Sequence, residues 1–132
     1  MTLLARHVVV VDDNHDILAV TKKMLENKGY QVHGFTEPVK ALAHAKECKE
    51  CGVVITDLRM PEMNGLQLIR ELKESRPDMK AILMTAFQIN QEEWLQTLPS
   101  AKVDQFLAKP FDSVRLVEAI EKCVPIMSLS LP

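Results

Sequence analysis

A chain of 132 residues, 47% hydrophobic and 26% charged, has the size and make-up of one globular domain with a single core. A formal net charge of −2 and a pI near 6.1 argue against a nucleic-acid-binding surface. No apolar run approaches the roughly 20 residues of a membrane span, so no membrane insertion is expected.

The first residues, Met1 to His7, run directly into an apolar stretch and leave no room for a removable signal peptide, so a cytoplasmic address is expected. His7 to Val11 predicts a buried strand ending in Asp12-Asp13. Asn14 is placed to cap a helix whose inward face would be Ile17, Val20, Thr21, Met24 and Leu25. Lys28-Gly29 closes that helix. Tyr30 to Phe35 alternates more and reads as a strand nearer an edge. Thr36 is expected to cap a second helix with Pro38 in its first turn, ending near Glu50-Cys51-Gly52.

Three cysteines with no signal peptide argue against a disulfide framework. Cys48 and Cys51 match the C-x-x-C spacing, but at the end of a helical pattern the dipole has the wrong sign for a reactive thiol. A zinc site needs two further ligands, and no second Cys or His pair has suitable spacing. The expectation is two ordinary cysteines flanking a turn.

Val53 to Thr56 is wholly β-branched, as in a strand buried on both faces, and it delivers Asp57 to its carboxyl end. Met60-Pro61 and Asn64-Gly65 make the turn that follows. Leu66 to Ser75 is a helix with Leu68, Ile69 and Leu72 inward. Lys80 to Met84 is a fourth strand, ending in Thr85-Ala86. A short fourth helix begins at Asn90, with Glu93 three residues on, and stops at Pro99. Asp104 to Ala108 is a fifth strand, ending in Lys109-Pro110. Val117, Ile120 and Val124 mark one face of the last helix. Strands and helices alternate five times, which predicts a doubly wound α/β sandwich over residues 1–124, with 125–132 as a tail or the start of a linker.

Four of these strands end in polar groups: Asp12-Asp13, Asp57, Thr85 and Lys109. In a parallel sheet all of them arrive at one edge, where ligands collect. Clustered carboxylates repel unless a cation joins them, and a hard divalent ion such as Mg2+ suits oxygen donors. With the Lys109 ammonium and the Thr85 hydroxyl, such a site would receive a phosphoryl group, and Asp57 is the nucleophile placed to carry it.

Asp12-Asp13, Asp57 with Met60-Pro61 and Asn64-Gly65, Thr85-Ala86, and Lys109-Pro110-Phe111 resemble the receiver domains of two-component response regulators. The resemblance covers about residues 7 to 124. It implies a flavodoxin-like (βα)5 fold with strand order 2-1-3-4-5. It also implies phosphotransfer to Asp57 from a sensor histidine kinase or phosphotransfer protein. Asp13, Asp57 and the Arg59 carbonyl would ligate Mg2+, with Asp12 acting through water. Lys109 and Thr85 would bind the phosphoryl group, and Thr85 and Phe106 would form the switch. The fourth helix, fifth strand and fifth helix would meet a downstream effector or a phosphorylation-dependent dimer partner. Such a protein is a switch that catalyses only its own phosphorylation and dephosphorylation. The resemblance and the turn at Lys109 together predict a cis Lys109–Pro110 bond.

Some positions depart from the family pattern. Lys102 replaces a usual glycine, Gln105 replaces a common acid, and the fourth helix is short. Arg59 and Phe87 occupy the positions that flank the approach of water in the family. Neither is a general base, which predicts a long-lived phosphoryl group. Trp94 lies near the expected switch face. A haloacid-dehalogenase-type phosphatase would need an acid where Arg59 stands. A flavodoxin would need a Ser/Thr/Gly-rich loop where Asp12-Asp13-Asn14-His15 stands.

Overall fold

The computed structural model describes residues 7–86 and 101–123. Five strands appear: β1 (His7–Val11), β2 (Gln31–Phe35), β3 (Cys51–Asp57), β4 (Lys80–Thr85) and β5 (Gln105–Ala108). Four helices are described: α1 (His15–Glu26), α2 (Pro38–Glu47), α3 (Gly65–Ser75) and α4 (Ser113–Cys123), the last being the fifth helix of the sequence reading. The helix expected from Asn90, with Trp94 and Pro99, lies outside the described residues, as do Phe87, Val124 and the tail.

The strands form one parallel sheet in the order β2-β1-β3-β4-β5. Successive side chains of a strand point to opposite faces, so each central strand feeds two cores. Val9, Val11, Val54 and Leu83 pack with α2 and α3. Val8, Val10, Ile55, Ile82 and Met84 pack with α1 and α4. This is the doubly wound α/β sandwich that the residue pattern predicts, in the flavodoxin-like strand order that the resemblance implies. β2 lies at the edge, as its alternation suggests, and β3 lies at the centre.

Several local readings are corrected. Thr21, Met24 and Leu25 face inward on α1 as expected, but Val20 is 53% exposed and Leu18 packs on the core in its place. On α4 the buried stripe is Leu116, Ala119, Ile120 and Cys123, with Val117 only half-buried. In both helices the apolar side chains outnumber the core positions, so periodicity alone leaves the face ambiguous. Helix α2 is capped by Glu37 without a side-chain bond, not by Thr36, and it ends at Glu47. The chain then turns early enough for β3 to begin at Cys51. Cys48 and Cys51 are joined in a disulfide, contrary to the expected pair of ordinary cysteines. Cys123, the last residue of α4, is buried, and burial pushes its thiol up to about 11, so it stays protonated.

Two polar clamps fix the helices to the sheet. The Lys73 ammonium on α3 donates to the Lys102 carbonyl at 2.7 Å and to Asp104 Oδ2 at 2.6 Å. The same carboxylate oxygen accepts from the Ala81 N–H at 2.8 Å, so α3 is tied to the entry of both β4 and β5. Lys102, where the family favours glycine, takes a positive φ of 55°. The Arg76 guanidinium donates to the carbonyls of Ala45, Cys48 and Cys51 at 3.0, 2.8 and 3.0 Å. It thereby satisfies the open carbonyl end of α2 and holds the turn into β3.

Helix α3 begins with a reciprocal cap. Asn64 Oδ1 accepts from the Gln67 N–H at 2.8 Å, and Gln67 Oε1 accepts from the Asn64 N–H at 2.9 Å. Replacing Asn64 with Ala removes one of these bonds and weakens the other. We expect a loss of about 1 kcal/mol in denaturant unfolding, with most of it recovered in Asn64→Ser.

Candidate functional site

Every parallel strand runs toward one edge, and the sequence puts polar residues there. Asp12 follows β1 directly and is fully buried. Its Oδ1 accepts from the Asn14 N–H at 3.0 Å, while Asn14 Oδ1 accepts from Asp16 and Ile17 to cap α1. The loop that begins α1 is thus pinned to the carboxylate. Asp13 is exposed beside it.

Asp57 ends β3, half-buried, and its Oδ1 accepts from the Leu58 N–H at 2.9 Å. The loop after it folds back on itself: the Gly65 N–H donates to the Leu58 carbonyl at 2.8 Å. This closure needs a glycine, because a Cβ on residue 65 would collide with the Asp57 carbonyl oxygen. The Thr56 hydroxyl also donates to that carbonyl, at 2.9 Å. Sequence reading treated Asn64-Gly65 as turn punctuation and missed this close approach. Its only local signal is a glycine just after the cap, where a better helix former would be expected.

Lys109 follows β5 and reaches back across the sheet edge. Its Nζ lies 2.8 Å from Asp12 Oδ2 and 3.4 Å from Asp57 Oδ1. The Lys109–Pro110 peptide bond is cis, as predicted. Thr85 ends β4 opposite Ala108, and its carbonyl accepts from the Lys109 N–H at 2.9 Å. Arg59 is exposed just beyond Asp57, and Phe106 on β5 is 43% exposed. Phe87 lies outside the described residues.

Asp12, Asp13 and Asp57 each offer a carboxylate oxygen within 4.8 Å of the others. Against these three acids the Lys109 ammonium lies beside Asp12 and Asp57, so three carboxylates share one such cation. Burial is the main cause that pushes the Asp57 carboxyl above its ordinary value; Lys109 pulls it down, and Asp12 adds to the rise. Clustered hard oxygen donors that repel one another fit a divalent cation such as Mg2+.

The family model of the response regulator receiver domain matches residues 8–121. The chain belongs to the response regulator receiver family. The receiver is 32% identical over 120 residues to the chemotaxis protein CheY of Thermotoga maritima, covering 90% of this chain and 98% of that one. It is 34% identical over 118 residues to the C4-dicarboxylate transport transcriptional regulatory protein DctD of Rhizobium meliloti, covering 89% of this chain but 25% of that protein. Several other curated relatives are also much longer, and the receiver spans 12% to 26% of their length. A CheY-like receiver domain structure from Methanospirillum hungatei superposes with a TM-score of 0.84 at 27% identity, covering 96% of this chain and 98% of that one. No helix among the described residues is long and apolar enough to cross a membrane.

The folded receiver holds the Asp57 proton more tightly than the unfolded chain does. Ionising Asp57 therefore costs stability, fully above its raised value and not at all below the ordinary value of 3.8. We expect Asp57→Asn to unfold at a higher temperature than wild type at pH 7 and at the same temperature near pH 3. Thermal melts across that range check this. Gly65→Ala should cost about 1–3 kcal/mol, the usual range for forcing a group into packed structure; denaturant titration measures it.

Proposed function

We propose that the receiver is an Mg2+-dependent phosphoacceptor that takes a phosphoryl group from a phosphohistidine onto Asp57 and thereby changes its output surface. The observation that carries this reading is the Lys109 ammonium set between Asp12 and Asp57, with three carboxylates around one point. Asp57 Oδ1 is fixed by the Leu58 N–H, so a carboxylate oxygen is held in place to attack phosphorus. The new bond is P–O to Asp57. The bond that breaks is P–N to the donor histidine, whose ring nitrogen keeps the electron pair and takes a proton.

Asp12, Asp13, Asp57 and the Arg59 carbonyl would hold the divalent ion, which when bound neutralises charge on the phosphoryl oxygens. Lys109 supplies a fixed positive charge at the same place. Once Asp57 carries a dianionic group, Lys109 has a stronger partner than the Asp12 carboxylate. Thr85, whose carbonyl accepts from the Lys109 N–H, would turn its hydroxyl to that group. Phe106, 43% exposed on the neighbouring β5, would follow. Arg59 offers no base, which favours a slow return. The fourth helix, fifth strand and α4 would then present the signal to an effector.

An apolar hollow of about 530 Å³ adjoins Lys109, lined by Ile17, Val20, Met24, Ala86, Pro110 and Phe111. It would suit the apolar face of a phosphohistidine-bearing helix, since the hollow borders Lys109, whose ammonium lies 3.4 Å from Asp57 Oδ1.

Acetyl phosphate with Mg2+ should add one phosphoryl group to the wild type and none to Asp57→Asn, by intact mass. Equal labelling of both proteins overturns the assignment. A histidine donor that labels the wild type should label Val20→Glu at least about tenfold more slowly, the factor for about 1.4 kcal/mol of lost contact. Acetyl phosphate labelling of that variant should be unchanged.

A further inference from the structure

We propose that the opposite edge of the sheet carries a structural zinc site formed by His33, His44, Cys48 and Cys51. It does not rest on the function proposed for the carboxylate edge. The strands run about 15 Å from one edge to the other, so the two sites share no residue.

The four side chains come from separate places in the chain. His33 is in β2, His44 is in the last turn of α2, Cys48 follows that helix, and Cys51 opens β3. The fold gathers one ligand atom from each to within 4.8 Å of the others. Two sulfurs and two imidazole nitrogens are a donor set for tetrahedral zinc, and a set of four closes the coordination shell. Thiolate and imidazole donors select zinc over the hard ions that suit the carboxylate edge.

A second observation points to a missing ligand. His44 Nε2 is buried and has no hydrogen-bond partner. A buried polar atom left so loses its hydration without return, and a bound metal ion removes that cost. The His33 and His44 ring centroids are 4.7 Å apart, with His33 also stacked on His7. His7 Nδ1 lies 3.2 Å from His33 Nε2, so His7 supports the His33 ring as an outer partner. An open hollow of about 420 Å³ over these residues, lined also by Glu47 and Glu50, gives an ion access under negative potential.

The cysteine turn is held from behind. Arg76 binds the backbone carbonyls of both Cys48 and Cys51, and its own fork is fixed by Asp78 at 3.1 Å. The turn therefore keeps its shape whether or not the two sulfurs are bonded to each other. In the structure they form a disulfide, so the zinc form is the reduced one. A phosphine with one water reduces the S–S bond to two thiols and leaves as its oxide; two thiols of a thiol reductant do the same by passing on their protons and becoming a disulfide. Zinc then displaces the two thiol protons and binds two thiolates.

The test uses the full chain, reduced with a phosphine and titrated with Co2+ and then Zn2+. We expect one Co2+ per chain to give thiolate-to-metal charge-transfer bands and tetrahedral d–d bands, which Zn2+ abolishes. Zn2+ should also raise the unfolding temperature of the reduced protein. Asp13→Asn, which alters only the carboxylate edge, should keep the bands. The Cys48→Ser/Cys51→Ser variant should lose them. His33→Ala and His44→Ala should weaken binding by more than the roughly 10–100-fold expected for the outer partner in His7→Ala. These variants decide the matter if the cysteine variant fails to fold. Absence of thiolate bands in fully reduced wild type overturns the proposal and leaves a disulfide only. Bands of full strength at unchanged affinity in the His33→Ala/His44→Ala double variant overturn the four-ligand assignment.

Discussion

The fully buried carboxylate of Asp12 sets the terms for one whole edge of the sheet. An ion in that position needs a partner, because the interior does not replace lost hydration. The partner is Lys109, which lies 97 residues away in sequence. In the strand order β2-β1-β3-β4-β5, that ion pair spans from the end of β1 past β3 and β4 to the end of β5. Asp57 ends β3 between them and so falls beside the same ammonium. One electrostatic requirement thus brings three strand ends to a single point.

The arrangement is strongly polarised. Burial pushes Asp57 up while Lys109 pulls it down, so the carboxyl sits in an unfavourable place that the surrounding fold enforces. The enforcement is structural: Gly65 lets the following loop press against the Asp57 backbone, and the Asn64–Gln67 cap anchors that loop to α3. Stability spent at the site is recovered in two apolar cores, one on each face of the sheet. This division is what a doubly wound sheet permits, since its interior is insulated from the chemistry at its edge.

The two edges also differ in chemistry. Hard carboxylate oxygens gather where the strands end, and imidazoles and sulfurs gather where β3 begins. Arg76 and Lys109 act in comparable ways at the two edges. Each is a cation whose side chain holds groups from distant segments in register, carbonyls in one case and carboxylates in the other.

What the sequence by itself determined was whatever short-range pattern encodes. β-Branched runs marked β1 and β3, Asn14 marked a helix start, and the polar residues closing four strands marked the working edge. Given parallel strands with the first beside the third, an order that the family resemblance implied, Asp12, Asp13, Asp57 and Lys109 had to meet at one edge. Tertiary structure decided which side of an amphipathic helix is buried: Val20 and Leu18 are equally apolar, and only the position of the sheet separates them. It decided the contact between Gly65 and the Asp57 backbone, which no spacing records. It decided, too, that His33 and His44 stand over the Cys48–Cys51 turn. Those residues carry no common motif, because a helix, an edge strand and a turn each supply part of the cluster. Local patterns report the conformation of neighbours in the chain, whereas a site assembled from separate elements exists only once packing has fixed the distances between them.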